Sequence, residues 1–188
     1  MKALEAKGVK AAAFPSDASD AAAVRKLIGD VRGKLGPVTV LHWNAYAAEA
    51  GDLLTADTAA LHRMFDVAVV SLISAVQESL PDMKKDKEQA AVLVTNGGFG
   101  LVDPKMDAFA AQVNAMGISV ASGPKHKLVG LLAEKLRPEG IYVGEVMVLG
   151  MVKGTAWDSG SATLEAGTIA NKFWELYKGR GEVRGQVV

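Results

Sequence analysis

No cysteine occurs in the 188 residues. Disulfides, thiol nucleophiles and cysteine-built metal centres are therefore excluded, in keeping with a cytoplasmic protein without requiring one. Net charge is lacking too. The 21 lysines and arginines are matched by 21 aspartates and glutamates, so no net field draws in nucleic acid. The one short basic stretch, "MKKDKEQ" at 83–89, reads as a solvated turn rather than a binding patch. No apolar stretch approaches the length needed to cross a membrane, and no membrane partner is expected. The opening "MKALEAKGVK" lacks a secretory apolar core and reads as the end of an amphipathic helix turning on Gly8. His42, His62 and His126 are not spaced as metal ligands, so no metal is expected. Internal repeats, linkers and low-complexity segments are likewise missing.

What is present suits one domain: 49% of the residues are hydrophobic, ample for a core. Strand-like and helix-like segments alternate. "KAAAF" reads as a strand, followed by the loop "PSDASD", whose Asp17 and Ser19 can bond neighbouring backbone and whose Asp20 can cap a helix over 21–35. On that helix Val24, Leu27, Ile28 and Val31 recur at the spacing of one buried face. "GPVTVLHWNA" supplies a turn and a strand, and 57–80 a long helix ending at Pro81. A buried strand over 91–95, a helix over 125–136, the strand "IYVGEVMV", a helix around "TIANKFWELYKG" and a last strand "EVRGQVV" complete the series. This alternation implies right-handed βαβ units and a parallel sheet with helices on both faces, a three-layer Rossmann-like α/β fold.

The stretch "AAVLVTNGGFG" at 90–100 ends on glycines, as a phosphate loop does, but a dinucleotide fingerprint requires a helix at once after its glycines. Here they lead into "LVDPKMD", which reads as a loop. Chemistry in such sheets lies at the carboxyl ends of the strands, which places "PSDASD", "WNAY", "NGGFG" and "LGMVKGT" at the candidate site.

Taken in that order and spacing, these segments resemble the short-chain dehydrogenase/reductase family across nearly the whole chain. "GPVTVLHWNAY" is similar to the family's strand ending in Asn-Asn-Ala-Gly, with Asn44 and Ala45 retained. "FDVAVVSLISAVQESLPDM" resembles its long interface helix, and "KHKLVGLLAEKLRPEGIYV" the helix after its catalytic tyrosine. The resemblance implies an oxidoreductase using NAD or NADP on a small carbonyl or alcohol substrate. Asp17 would lie near the adenine ring, and Asn44, Ala45 and Lys125 along the cofactor, Lys125 reaching the ribose or standing solvated at a helix start. Asn96 takes the place of the serine that polarises the substrate carbonyl, either as a weak oxyanion donor or as part of a plain turn.

Departures from the family are as informative. Counting back from Pro138 without gaps puts Ile118 at the tyrosine and Ser122 at the lysine of the catalytic pair; slipping one turn puts Ala121 and Lys125 there. Neither Ile118 nor Ala121 can move a proton. Ala68 stands at the family's structural asparagine, and Trp43 and Tyr46 crowd the place of the nicotinamide ribose. The chain begins after the family's first βαβ unit, so 1–188 is expected to form a single but partial domain that binds NAD(P) poorly. "KAAAF" is then left to pair with the strand at 38–43 directly or to be displaced, unless the chain is part of a longer protein. The alternative function is a non-catalytic relative kept for binding or assembly. Apolar residues spread round most of the 57–80 helix, so a homodimer or homotetramer is expected, unless the loop 46–56 covers the surplus.

Overall fold

The computed structural model describes residues 2–188. The sheet consists of β1 (Val40–Trp43), β2 (Ala91–Gly97), β3 (Tyr142–Val148) and β4 (Arg184–Val187), hydrogen-bonded in that order and all parallel. Val40 lies opposite Ala91, Ala91 opposite Tyr142, and Glu145 opposite Arg184. Around the sheet run α1 (Lys2–Glu5), α2 (Ala21–Leu35), α3 (Thr58–Phe65), α4 (Ser71–Met83), α5 (Pro104–Gln112), α6 (Met116–Leu136) and α7 (Ala166–Gly179).

Successive side chains of a strand point to opposite faces, and the two faces collect different partners. Leu41 and Trp43 of β1, Val92 and Val94 of β2 and Val143 of β3 meet Val24 and Ile28 of α2, Leu72 and Val76 of α4 and Val129 of α6 in one cluster. On the other face Ala91, Leu93, Tyr142, Val146 and Val187 lie under Phe173 and Leu176 of α7. Each such side chain contributes roughly 1.5–3 kcal/mol when taken fully out of water. This is the three-layer Rossmann-like arrangement expected from the alternation of elements.

Several local signals act as their chemistry dictates. Asp20 caps α2 by accepting the N–H of Ala22 and Ala23, and Gly36, at φ +105°, lets the chain leave it. Asp17 accepts both the amide and the hydroxyl of Ser19. Arg32 of α2 donates to Asp82 of α4 at 2.6 Å, fastening the two helices, and Val38 also donates its amide to Asp82.

Elsewhere the structure differs from the sequence expectation. "KAAAF" forms no ladder and is displaced from the sheet: Lys10 Nζ donates to the Lys34 carbonyl, and Lys34 Nζ stands 5.6 Å from the Phe14 ring centroid, so the segment lies along the end of α2 and leaves β1 as an edge. The expected loop after the glycines is α5, because Asp103 caps the Lys105 and Met106 amides and Pro104 occupies a first-turn position that needs no N–H. The helix expected from 125 begins at Met116, so Pro124 stands in its interior. The 57–80 helix is interrupted by a π turn, Asp66–Val70, and runs past Pro81 to Met83. Pro81 falls in the last turns, where its missing N–H deprives only one carbonyl. By length and composition alone Thr58–Met83 is sufficient to cross a membrane, contrary to the expectation that no stretch approached this; half of its most apolar window is buried inside the fold, as in a core helix.

The loop 46–56 packs onto the start of α6. Ala50 and Gly51 accept the N–H of Gly117 and Met116 at 3.0 Å, and a Cβ on Gly117 would stand 2.0 Å from the Ala50 oxygen, which restricts that position to glycine. Ala47, Ala50 and Ala56 join Ala60, Met64, Ala68, Ile118 and Ala121 in a third apolar cluster.

Candidate functional site

β2 and β3 bring Asn96 and Glu145 side by side beneath α6. Residues 92, 94 and 96 of β2 and 143 and 145 of β3 share the face that α6 covers. Where the apolar pattern breaks, at Asn96 and Glu145, two polar groups are driven into the core: Asn96 is 1% exposed and Glu145 0%. A buried carboxylate is tolerated only when its oxygens are occupied, and these are. Glu145 Oε1 accepts Asn96 Nδ2 at 3.0 Å, while Oε2 accepts His126 Nδ1 at 2.6 Å and Arg184 Nε at 3.3 Å. A carboxylate only accepts, so the proton between it and His126 sits on Nδ1. Arg184 Nη2 also donates to the His126 carbonyl, closing β4 onto α6.

Asn96 is committed in full. Its second amide hydrogen goes to the Ser122 carbonyl at 3.1 Å, and its own oxygen accepts the Gly97 amide. Both amide hydrogens are engaged inside the protein, so none points to a substrate carbonyl. Of the glycines beyond it, Gly98 and Gly100 serve packing: a Cβ on Gly98 would meet the Leu149 side chain at 3.1 Å, and one on Gly100 the Ser122 carbonyl at 3.0 Å and Asn96 Nδ2 at 3.1 Å.

Lys125 is not solvated at a helix start. It lies two turns into α6, 4% exposed, and burial pushes its amine down to about 8, with the charge of Glu145 acting in the opposite direction. Asn96 bonds this carboxylate directly, and Lys125 senses its charge from the helix that also carries His126. Asp17 lies apart, bonded to Ser19, its carboxyl held below the usual range chiefly by the Ser19 amide. Asn44 is exposed at the end of β1, and Ala45 packs against the large core cluster. In neither register does α6 present a proton donor: Ile118 packs with Ala121 among alanines, and Ser122 is buried. Trp43 is buried with its indole N–H on the Val67 carbonyl, whereas Tyr46 reaches the Trp157 indole at 2.8 Å.

Glu145, His126 and Arg184 escaped the sequence reading. The available signal was the lone acidic residue inside "IYVGEVMV", a strand otherwise fit for complete burial.

A pyrophosphate would need free amides at a helix N-terminus. The amides opening α2, α3 and α5 are taken by the carboxylates of Asp20, Asp57 and Asp103, and the first two of α6 by the Gly51 and Ala50 carbonyls. The described residues therefore do not fit a dinucleotide pyrophosphate at these helices.

Comparison with known proteins bears on the scaffold. The fold is similar to the blue fluorescent protein from a metagenomic library, solved in complex with NADPH (TM-score 0.81, 23% identity, 99% of this chain and 78% of that one). It is similar to a short-chain dehydrogenase/reductase mutant of Serratia marcescens (TM-score 0.82, 21% identity, 99% and 78%). A third likeness is to the NADPH-bound short chain oxidoreductase of Pseudomonas aeruginosa PAO1 containing an atypical catalytic center (TM-score 0.68, 22% identity, 83% and 58%). No curated protein matches the chain in sequence. The sequence profile of the short chain dehydrogenases matches residues 1–163. Together with the parallel sheet and its helix order, that match places this protein in the short-chain dehydrogenase family of oxidoreductases.

Proposed function

We propose that this chain is a short-chain oxidoreductase scaffold that has lost carbonyl reduction and serves as a self-associating, ligand-binding protein. The observation that carries the reading is Ile118 at the place of the proton donor, packed among Ala50, Ala60, Met64 and Ala121. Loss of a positioned acid lowers rates by about 100-fold to 10,000-fold, and Asn96, with both amide hydrogens engaged, supplies no compensating donor. Asp17, Asn44, Ala45 and Lys125 stay the positions where NAD or NADP is expected to touch by family resemblance. Under this reading they hold it weakly, since the amides of four helices are already occupied and Lys125 is buried.

The test is NADPH and NADH oxidation with a panel of ketones and aldehydes, paired with calorimetric titration of each cofactor. No turnover above the uncatalysed rate and no micromolar affinity are expected; a ketone reduced at a rate that falls on Lys125→Ala overturns the reading. Self-association rests on apolar side chains left at the surface of the helices, Val70 (44% exposed), Val120 (40%) and Leu131 (57%), which a two-fold partner would cover. Light scattering is expected to report a dimer or tetramer that Val70→Glu dissociates; a wild-type monomer at micromolar concentration refutes it.

A further inference from the structure

Glu145, His126 and Arg184 take no part in the function proposed above, yet three elements converge to build their cluster. Arg184 of β4 stands opposite Glu145 of β3 in the sheet register, and His126 and Gly130 follow one another on the same face of α6. Gly130 leaves room for the guanidinium, since a Cβ there would stand 3.0 Å from Arg184 Nη2. Ring and guanidinium therefore lie side by side, both donating to Glu145 Oε2.

The two nitrogens of His126 are in opposite circumstances. Nδ1 carries the proton held by the carboxylate, so in the neutral ring the lone pair belongs to Nε2. Nε2 bonds nothing among the described residues and is open to water. Of the side-chain polar atoms in residues that are not exposed, those sealed from both solvent and a partner are the Ser71 and Ser79 hydroxyls, and the His126 side chain is 26% exposed. A carboxylate behind an imidazole fixes its tautomer and stabilises the positive charge that develops as the free nitrogen attacks. The other two histidines lack this support. His42 Nε2 is engaged by the Thr95 hydroxyl, and burial pushes that ring toward neutrality; His62 stands exposed on α3, with no carboxylate bonded to it among the described residues.

The surrounding charges select what the free nitrogen meets. Arg184 spends Nε on Glu145 and Nη2 on the His126 carbonyl, while Nη1 bonds nothing among the described residues and the side chain is 42% exposed. Lys125 feels the same carboxylate from the preceding residue. Two cations thus face one carboxylate, and the surplus positive charge favours an anion in front of the ring. A guanidinium matches the oxygens of a phosphoryl group and offsets their charge during transfer.

We propose that His126 is a phosphoryl-acceptor site, whose Nε2 takes the phosphoryl group of a small anionic donor such as phosphoramidate or an acyl phosphate. The Nε2 lone pair forms the new N–P bond as the donor's bond to phosphorus breaks. The electron pair of the broken bond leaves with the departing group, as ammonia from phosphoramidate protonated on nitrogen or as a carboxylate from an acyl phosphate; nothing is oxidised or reduced. The ring becomes cationic, its Nδ1 proton stays in the bond to Glu145, and Arg184 offers Nη1 to the phosphoryl oxygens.

The test incubates the whole chain with potassium phosphoramidate at neutral pH, follows ³¹P resonances, and maps the phosphorylated residues by mass spectrometry under alkaline conditions. His62 in the same molecule is the internal reference. His126 should be phosphorylated at least about tenfold faster than His62, and Arg184→Gln and Glu145→Gln should each slow His126 several-fold while leaving His62 unchanged. Thermal unfolding reports whether each variant folds, and Arg184→Gln, at a half-exposed side chain, keeps the test open if Glu145→Gln does not. An ion pair with a merely structural role predicts equal rates at His126 and His62, and that result overturns the proposal. So does a His126 rate that neither substitution alters. With acetyl phosphate as the second donor, a phosphoryl adduct at His126 supports the proposal and an acetyl adduct there overturns it. No readout involves NAD(P)H or a carbonyl substrate, so these outcomes are independent of the preceding proposal.

Discussion

On one face of the sheet α2, α4 and α6 leave Leu72, Val92 and Val94 with no solvent contact; on the other, α7 alone covers the strands, and Val40, His42 and Leu93 border an open groove of about 440 Å³ with Trp174 and Tyr177. The polar groups carried by the strands follow the coverage. Under the three helices a carboxylate at 0% exposure has every oxygen matched by a donor, because water cannot reach it. On the open face His42 rests its ring 4.5 Å from that of Phe173, bonds Thr95, and keeps access to solvent. For the strand carboxylate coverage decides how completely the oxygens must be matched, whereas the neutral hydroxyls of Ser71 and Ser79, equally buried on α4, find no partner among the described residues.

The sharpest way to separate the two faces is to remove the same side chain from each. Leu72→Ala on the closed face should lower stability by about 4 kcal/mol, because the surrounding atoms cannot collapse into the void. Leu93→Ala, beside the groove, should lose about 2 kcal/mol, since water or neighbouring side chains can enter. Urea midpoints at constant m-value check this, and equal losses would erase the distinction.

Lys125 probes the closed face by charge. Its amine titrates near 10.5 when unfolded and at about 8 when folded. Below pH 8 both states carry the proton and the folded state bears the full penalty; between about 8 and 10.5 only the unfolded state holds it, so stability rises with pH. A displacement of that size corresponds to roughly 3 kcal/mol at most. Lys125→Met should therefore stabilise the protein at pH 7 and flatten the rise between pH 8 and 10, measured by thermal unfolding across that range.

Asp82 is the converse case at the edge of the same face. The Arg32 guanidinium beside it holds its carboxyl below the usual value, so its contribution is present above about pH 4 and lost as pH falls through the lowered value. Asp82→Asn should weaken the α2 to α4 contact by about 2 kcal/mol at pH 7 and remove that acid dependence. The smallest effect belongs to the open face: Trp174, 63% exposed, should tolerate Trp174→Gln within about 0.5 kcal/mol by the same urea assay.

Legibility of the sequence followed how local each cause was. Asp20 and the Val24 and Ile28 spacing of α2 carry their meaning within a few residues, and the structure agrees with both. "LVDPKMD" reads as a loop because the helical role of Pro104 depends on Asp103 acting as a cap one residue earlier. The first turns of α6, "MGISVASG", contain glycines and β-branched residues that disfavour a helix by themselves; tertiary packing on the 46–56 loop and on the turn at Gly98–Gly100 forms them nonetheless. The Glu145 cluster was least legible of all. It joins β2, α6, β3 and β4, and only Asn96 and Glu145 break a pattern visible in their own segments.

The π turn between α3 and α4 has a consequence for the angular bookkeeping of that whole helical run. Ala60, Met64, Ala68, Leu72 and Val76 are all buried at intervals of four. In an unbroken α-helix each such interval drifts roughly 40° round the axis, so the two ends of the series would diverge by about 160°. One extra residue in the π turn takes back roughly 100° of that drift, and the indole of Trp43 holds the Val67 carbonyl in place there. The apolar residues that wrap so much of this helix in sequence are therefore two stripes written out of phase and realigned in space. Deleting a single residue from 66–70 would therefore let the run close into unbroken α-helix with Ala60 and Met64 still facing α6, whereas straightening the π turn at full length would turn them away by about 100°.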